Sequence, residues 1–380
     1  MRIECCQWER TEQGWIERRR PGVLGAAVQL VLAFGAAEAW GGAPLDAIRQ
    51  AYPNASLVGC TTGGEILGTK VWDGTLSATA IAFEHTSVVT HSIRNVSFKD
   101  SYSAGVQLAK QFAPQGLNHL FLLADGSNLS WSDVVDGLVS RLPPGVTVSG
   151  GFAASGLVDK QTLVWCDTSP EGQMVAAIGF YGERLRIGIA CSGVWGPLGP
   201  DRVVTSSNKN AIYKFDGRPA LPIYKKYLGS SAADLPQAGK MFPLDVRLNP
   251  NQTRVLRTVM DVNEEDQSIL CAGDVPEGSY ARVMIGNVED LIENAIQTGQ
   301  ASLSGMGGVK PQLSILVSCV GRRSVLKHRV DDEVDAVLDG LGEGSTVTGF
   351  YSHGEVAPAE PGGQPQLHNE TMMITNFAEV

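Results

Sequence analysis

Gln29-Leu-Val-Leu-Ala-Phe34, Leu45-Asp-Ala-Ile-Arg-Gln50 and Ser56-Leu-Val-Gly-Cys-Thr-Thr-Gly-Gly-Glu65 follow one another as an apolar run, a helical segment and a second apolar run ending in glycines. The pattern returns at His119–Ala124, Ser130–Leu142 and Val146-Thr-Val-Ser-Gly-Gly151. It returns again at Leu313–Val317, Asp331–Leu341 and Thr346-Val-Thr-Gly-Phe-Tyr-Ser-His-Gly-Glu355. Short unbroken apolar runs joined by one helix predict parallel strands buried on both faces. The glycines fall just past the strand ends, where open α/β sheets form ligand crevices.

Between these units the pattern is antiparallel. Leu76–Phe83 and Ser87–Ile93 read as a pair, and Thr162–Cys166, Val175–Tyr181 and Leu185–Ser192 as successive hairpin strands. Composition shifts over Gly217–Gly229, where Pro219 opens a short helix, and a domain boundary is expected near residues 212–218. The prediction is an α/β protein in two parts, residues 1–215 and 216–380. Its sheets are mixed and largely parallel, built from repeated strand–helix–strand units plus antiparallel hairpins.

The 380 residues carry 30 Lys and Arg against 40 Asp and Glu, a formal charge of −10 that disfavours a nucleic-acid partner. Arg18-Arg19-Arg20 before the apolar stretch Val23–Ala37 imitates a signal peptide. That stretch is broken by Gln29, is shorter than a membrane span, and is needed as the first strand. The seven cysteines are odd in number and scattered, without paired spacing. A cytoplasmic protein with buried thiols, and no membrane partner, is the expectation.

No Walker loop, H-E-x-x-H or G-x-S-x-G pattern is present. Three strand ends are unusually polar: Thr61, Thr62 and Glu65 on the first; Cys319, Arg322 and Arg323 on the second; Tyr351, His353 and Glu355 on the third. If parallel strands share one C-terminal edge, Glu65, Cys319 and His353 line one cavity. The bland alternative is that the glycines only make turns, the arginines pair with Glu65 or Glu355, and His353 is a hydrogen-bonded core residue.

Gly59-Cys-Thr-Thr-Gly-Gly-Glu-Ile66, Ala176-Ala-Ile-Gly-Phe-Tyr-Gly182, Ala272-Gly-Asp-Val-Pro-Glu-Gly-Ser279, Ser318-Cys-Val-Gly-Arg-Arg323, Gly349–Glu355 and Leu367-His-Asn-Glu-Thr-Met372 together resemble the FIST family, over nearly the whole chain. The resemblance implies a non-enzymatic ligand sensor of signal transduction. Some bacterial members bind haem, sense nitric oxide, and regulate a histidine kinase or a cyclic-di-GMP enzyme. Position 353 is His here, where Tyr is commoner, and the turn Gly150–Gly156 also departs from the family form. Haem b held by His353, with His368 as second choice, is one expectation. Another is an amino acid or similar metabolite held by Arg322 or Arg323. An enzyme with Cys319 as nucleophile and His353 as base is the rival from another class. A homo-oligomer is compatible with each.

Overall fold

The computed structural model describes residues 1–40, 42–127, 129–155, 161–247 and 254–380; the expected turn at Gly156 lies outside them. Each recurring segment forms its parallel pair: Leu30–Gly35 with Ser56–Thr61, Leu117–Ala124 with Thr147–Phe152, and Leu313–Cys319 with Thr346–Ser352. The helices Ala43–Ala51, Trp131–Val139 and Val330–Leu341 join them. The fold is mixed α/β. However, the three pairs do not share a sheet: each is the centre of its own six-stranded sheet.

Two antiparallel strands complete each unit. Thr75–Ala82, Val175–Tyr181 and Met372–Glu379 return along the first strand of their respective pairs. Each return strand is bordered by the strand that opens its unit: Arg2–Thr11, Ser87–Ile93 or Leu185–Ser192. This corrects the reading of Leu76–Phe83 and Ser87–Ile93 as partners, because they lie in different sheets. Residues 83–86 and 182–184 carry the chain from one unit to the next, so closeness in sequence there marks a boundary and not a hairpin.

Between its parallel pair and its return strand, each unit lends residues to another unit. Glu65–Leu67, hairpinned with Lys70–Trp72, adds to Thr346–Ser352. Gly354–Pro358, hairpinned with Pro365–His368, adds to Thr147–Phe152. Val164–Cys166 adds to Ser56–Thr61. The exchange is cyclic, and three equivalent backbone hydrogen bonds close it: Gly63 N–H to Tyr351 O (2.8 Å), His353 N–H to Phe152 O (3.1 Å) and Ala154 N–H to Thr61 O (3.0 Å).

The inner sheet faces share one core, in which Phe34 stacks on Phe350 and Phe180 packs on Phe377. Each outer face is covered by helices of its own unit, with separate apolar clusters. That two-sided burial explains the unbroken apolar strands. The third unit alone carries an insertion between Leu185–Ser192 and the helix Val288–Ser302: a nine-stranded sheet whose core centres on Leu221, Tyr224, Leu244 and Ile269. No helix among the described residues is long and apolar enough to cross a membrane.

Candidate ligand-binding site

The loops singled out in the sequence do meet at the cyclic crossing, but as packed structure. Glu65 is buried and accepts from Thr75 N–H (3.2 Å) and Thr75 O–H (2.7 Å), with Thr62 O–H as a third donor. Glu355 repeats this arrangement with Thr371 N–H (3.2 Å), Thr371 O–H (2.7 Å) and Ser352 O–H. The Thr61 hydroxyl accepts from Leu163 N–H. Tyr351 donates its hydroxyl to Glu333 (2.7 Å). Each carboxylate therefore ties its strand end to its own return strand.

The arginines do not pair with Glu65 or Glu355. Arg322 is fully buried against Glu333, with Nη1 on Asn294 Oδ1 and Nη2 on Leu291 O. Arg323 holds Asp73 and the Gly63 carbonyl and lies over the Tyr351 ring. Both guanidiniums are committed internally, so neither is free to clamp a ligand carboxylate. Burial pushes the Cys319 thiol well above its usual range, so it lacks the thiolate character a nucleophile needs.

His353 donates Nδ1–H to Gly126 O (3.2 Å) and stacks on Trp131. His368 donates Nε2–H to Ala357 O (3.0 Å). A ring nitrogen anchored to a carbonyl is how a metal-binding imidazole is oriented. The space is wrong for a porphyrin, however. The described cavities are lined by residues other than His353, and the one His368 reaches has a volume of about 190 Å³. That is below the roughly 300 Å³ at which cofactor-sized pockets begin. His353 therefore has no porphyrin-sized space beside it among these cavities, and His368 opens only onto the smallest of the three.

Open space lies where the inserted sheet meets the helix Trp131–Val139, in a cavity of about 420 Å³, and where it meets the third unit. The 190 Å³ cavity sits between the end of Leu185–Ser192, Trp195, the insertion's edge strands Leu244–Arg247 and Val255–Arg257, and the segment His368–Thr371. Asp245 is its decisive residue: its side chain is 1% exposed, and neither carboxylate oxygen has a hydrogen-bond partner. Arg254 Nη1 stands 3.3 Å from Oδ2 on a side chain that is 56% exposed, and is its ion-pair partner. Burial raises the Asp245 pKa, against the pull of Arg254, Arg247 and Arg282. Arg247 and Arg282 are themselves held by Asp201. Asn369 Oδ1 and Glu370 Oε2, between His368 and Thr371, also lack hydrogen-bond partners, but neither residue lines the cavity. An unsatisfied buried acceptor costs ~1–3 kcal/mol, which favours a donor-bearing guest beside Asp245.

Neither Asp245 nor Arg254 stood out in the sequence. The available signal was weak: a carboxylate inside Phe242-Pro-Leu-Asp-Val246, at a position where an apolar residue is expected.

The buried titrating groups predict a specific pH profile. Burial pushes the carboxyls of Glu65, Glu355 and Glu370 from 4.5 up to about 7, 8 and 8. It pushes the imidazoles of His119, His353 and His368 from 6.5 down to about 3, 4 and 4. A raised carboxyl loses stability as pH climbs from its unfolded to its folded value; a lowered imidazole loses stability as pH falls across its own interval. The two sets offset one another between 4.5 and 6.5, and the carboxyls act alone above that. Urea unfolding at constant ionic strength should give a plateau at mildly acidic pH. Stability should then fall toward pH 8, each carboxyl contributing at most about 1.4 kcal/mol per pH unit. Stability that rises steadily from pH 6.5 to 8 would contradict this account of the buried groups.

Comparison with known proteins agrees with the sequence motifs. The FIST N domain model matches residues 29–218 and the FIST C domain model matches residues 220–358. The chain belongs to the FIST family. FIST domains are sensor domains of signal transduction. No curated protein matches the chain. Among solved structures, a cyanuric acid hydrolase is similar at 8% identity and a TM-score of 0.26, covering 78% of this chain and 69% of its own. Cyanuric acid hydrolase from A. caulinodans is similar at 12% identity and a TM-score of 0.19, covering 77% and 99%. The expectation of a non-enzymatic protein is withdrawn, because these two solved structures are enzymes. Their low scores transfer no chemistry to this chain.

Proposed function

We propose that this FIST protein is a cytoplasmic sensor for a small zwitterionic metabolite of the α-amino-acid class. Its occupancy is reported to a separate signalling protein such as a histidine kinase or a cyclic-di-GMP enzyme. One observation carries the reading: the buried Asp245 carboxylate, with neither oxygen hydrogen-bonded and Arg254 as its ion-pair partner, at the wall of a cavity that Arg254 also lines. A ligand ammonium supplies the N–H donors that Asp245 lacks. A ligand carboxylate suits the guanidinium of Arg254, which is exposed enough to swing from Asp245 onto the guest. Thr371 and His368 add polar wall, and Trp195 adds an apolar face. The free state of all seven cysteines suits a reducing compartment. That His353 lines none of the described cavities supports this reading over one through haem.

Asp245→Asn tests it. Removing the charge while keeping the shape should weaken amino-acid binding roughly 10- to 100-fold, the value of a charge-assisted hydrogen bond. It should also leave the free protein at least as stable, because a buried, poorly partnered charge is gone. Isothermal titration with a panel of L-amino acids, alongside thermal melts, reads both effects. Unchanged affinity in Asp245→Asn, or no binding by any amino acid to the parent protein, overturns the proposal.

A further inference from the structure

We infer that the ligand's side chain is long and uncharged, and that it runs from the Asp245 cavity into a second, neutral cavity beside it. This rests on the amino-acid reading above. The second cavity, about 230 Å³, shares Cys191, Ser192 and Ala359 with the first, so the two adjoin along the end of the strand Leu185–Ser192. Their chemistry differs. The first holds Asp245, Arg254 and His368. The second is walled by Ile189, Ala190, Ala301, Pro358 and Pro361, with Asn294, Gln297 and Thr298 from one helix.

The polar atoms at this second end are mostly spent on the protein. Asn294 donates to the Ser192 hydroxyl (3.0 Å) and accepts from Arg322 (3.2 Å). Thr298 O–H donates to Asn294 O (2.7 Å), and the Gln297 amide donates to Glu293 (3.2 Å). What lines this cavity is mostly apolar surface, with the exposed Gln297 side chain on one side. Glu360, exposed at the mouth, is the one charged side chain among the described lining residues. An aliphatic, thioether or amide side chain suits such a wall. A carboxylate would be desolvated there without a cationic partner and would face Glu360.

The experiment is a titration of the full chain with L-alanine, L-leucine, L-methionine, L-glutamine and L-glutamate. Leucine and methionine should bind roughly 10- to 50-fold more tightly than alanine, from the methylene groups they bury. Glutamine should bind at least ~10-fold more tightly than glutamate, its near-isostere. Ala301→Phe, on the exposed rim of the second cavity, should collapse the leucine-to-alanine ratio to below about 3 by filling that space. Should it unfold, Gln297→Phe fills the same space from one turn earlier. If alanine, leucine and glutamate bind the parent protein equally, the inference fails while the amino-acid reading stands. If none of the five binds, the reading itself fails.

Discussion

Gly349→Ala is expected to abolish the folded state, or to cost at least ~4–5 kcal/mol, the range reserved for backbone and core damage. A Cβ on Gly349 would sit 1.9 Å from the Leu316 carbonyl oxygen and 2.7 Å from its carbon, both backbone atoms in the middle of a sheet. The same collision recurs at the equivalent positions of the other units, at 1.8 Å from Ala33 O for Gly59 and 2.0 Å from Leu122 O for Gly150. At these positions the second strand of each parallel pair presses against the first before its loop crosses to another unit. The approach leaves no room for a methyl group, and the neighbouring strand cannot retreat because it is paired on both sides. Gly196→Ala is the control, since its Cβ meets nothing nearer than 3.6 Å and should change stability by under about 1 kcal/mol. Urea unfolding of the two variants, with circular dichroism for the fold, decides the matter. A folded Gly349→Ala within 1 kcal/mol of the parent would refute the close approach.

Arg322→Met is expected to destabilise by about 3–5 kcal/mol, because it strands a buried carboxylate. Arg322 and Glu333 are both fully buried and 2.7 Å apart. Glu333 also accepts from Ser318 O–H (3.0 Å) and Tyr351 O–H (2.7 Å). The pair thereby links the helix Val330–Leu341 to both strands of the third parallel pair, and through Asn294 to the helix that walls the neutral cavity. Adding Glu333→Gln to Arg322→Met should recover part of the loss, since the orphaned charge is then removed. A double-mutant cycle in urea measures the coupling directly. A single-variant cost below 1 kcal/mol would show that water or movement reaches the pair.

Much of the local structure was legible in the chain. Leu30–Gly35, Leu117–Ala124 and Leu313–Cys319 were readable as buried strands because a strand covered on both faces has no reason to alternate. Three glycine-bearing turns in register implied three copies of one unit, and dispersed motifs implied the family. The opening strand Arg2–Thr11 and its hairpin partner Gly14–Arg19 were not recognised, since their polar outer face hides the pairing. Polarity at the strand ends was visible too. Its use was not: Thr62 with Glu65 and Ser352 with Glu355 proved to be internal ties.

Only the tertiary structure decided how the copies are joined and where space is left. Hydrophobic pattern reports which face of a strand is buried, not which strand lies beside it. The cyclic lending of Glu65–Leu67, Gly354–Pro358 and Val164–Cys166 between units therefore left no periodic trace. Asp245 and Arg254 belong to an insertion, and they meet His368 only because that insertion folds back onto the third unit. A cavity is a shortfall of packing between elements distant in sequence. Its position depends on how whole layers dock, which no stretch of residues encodes alone.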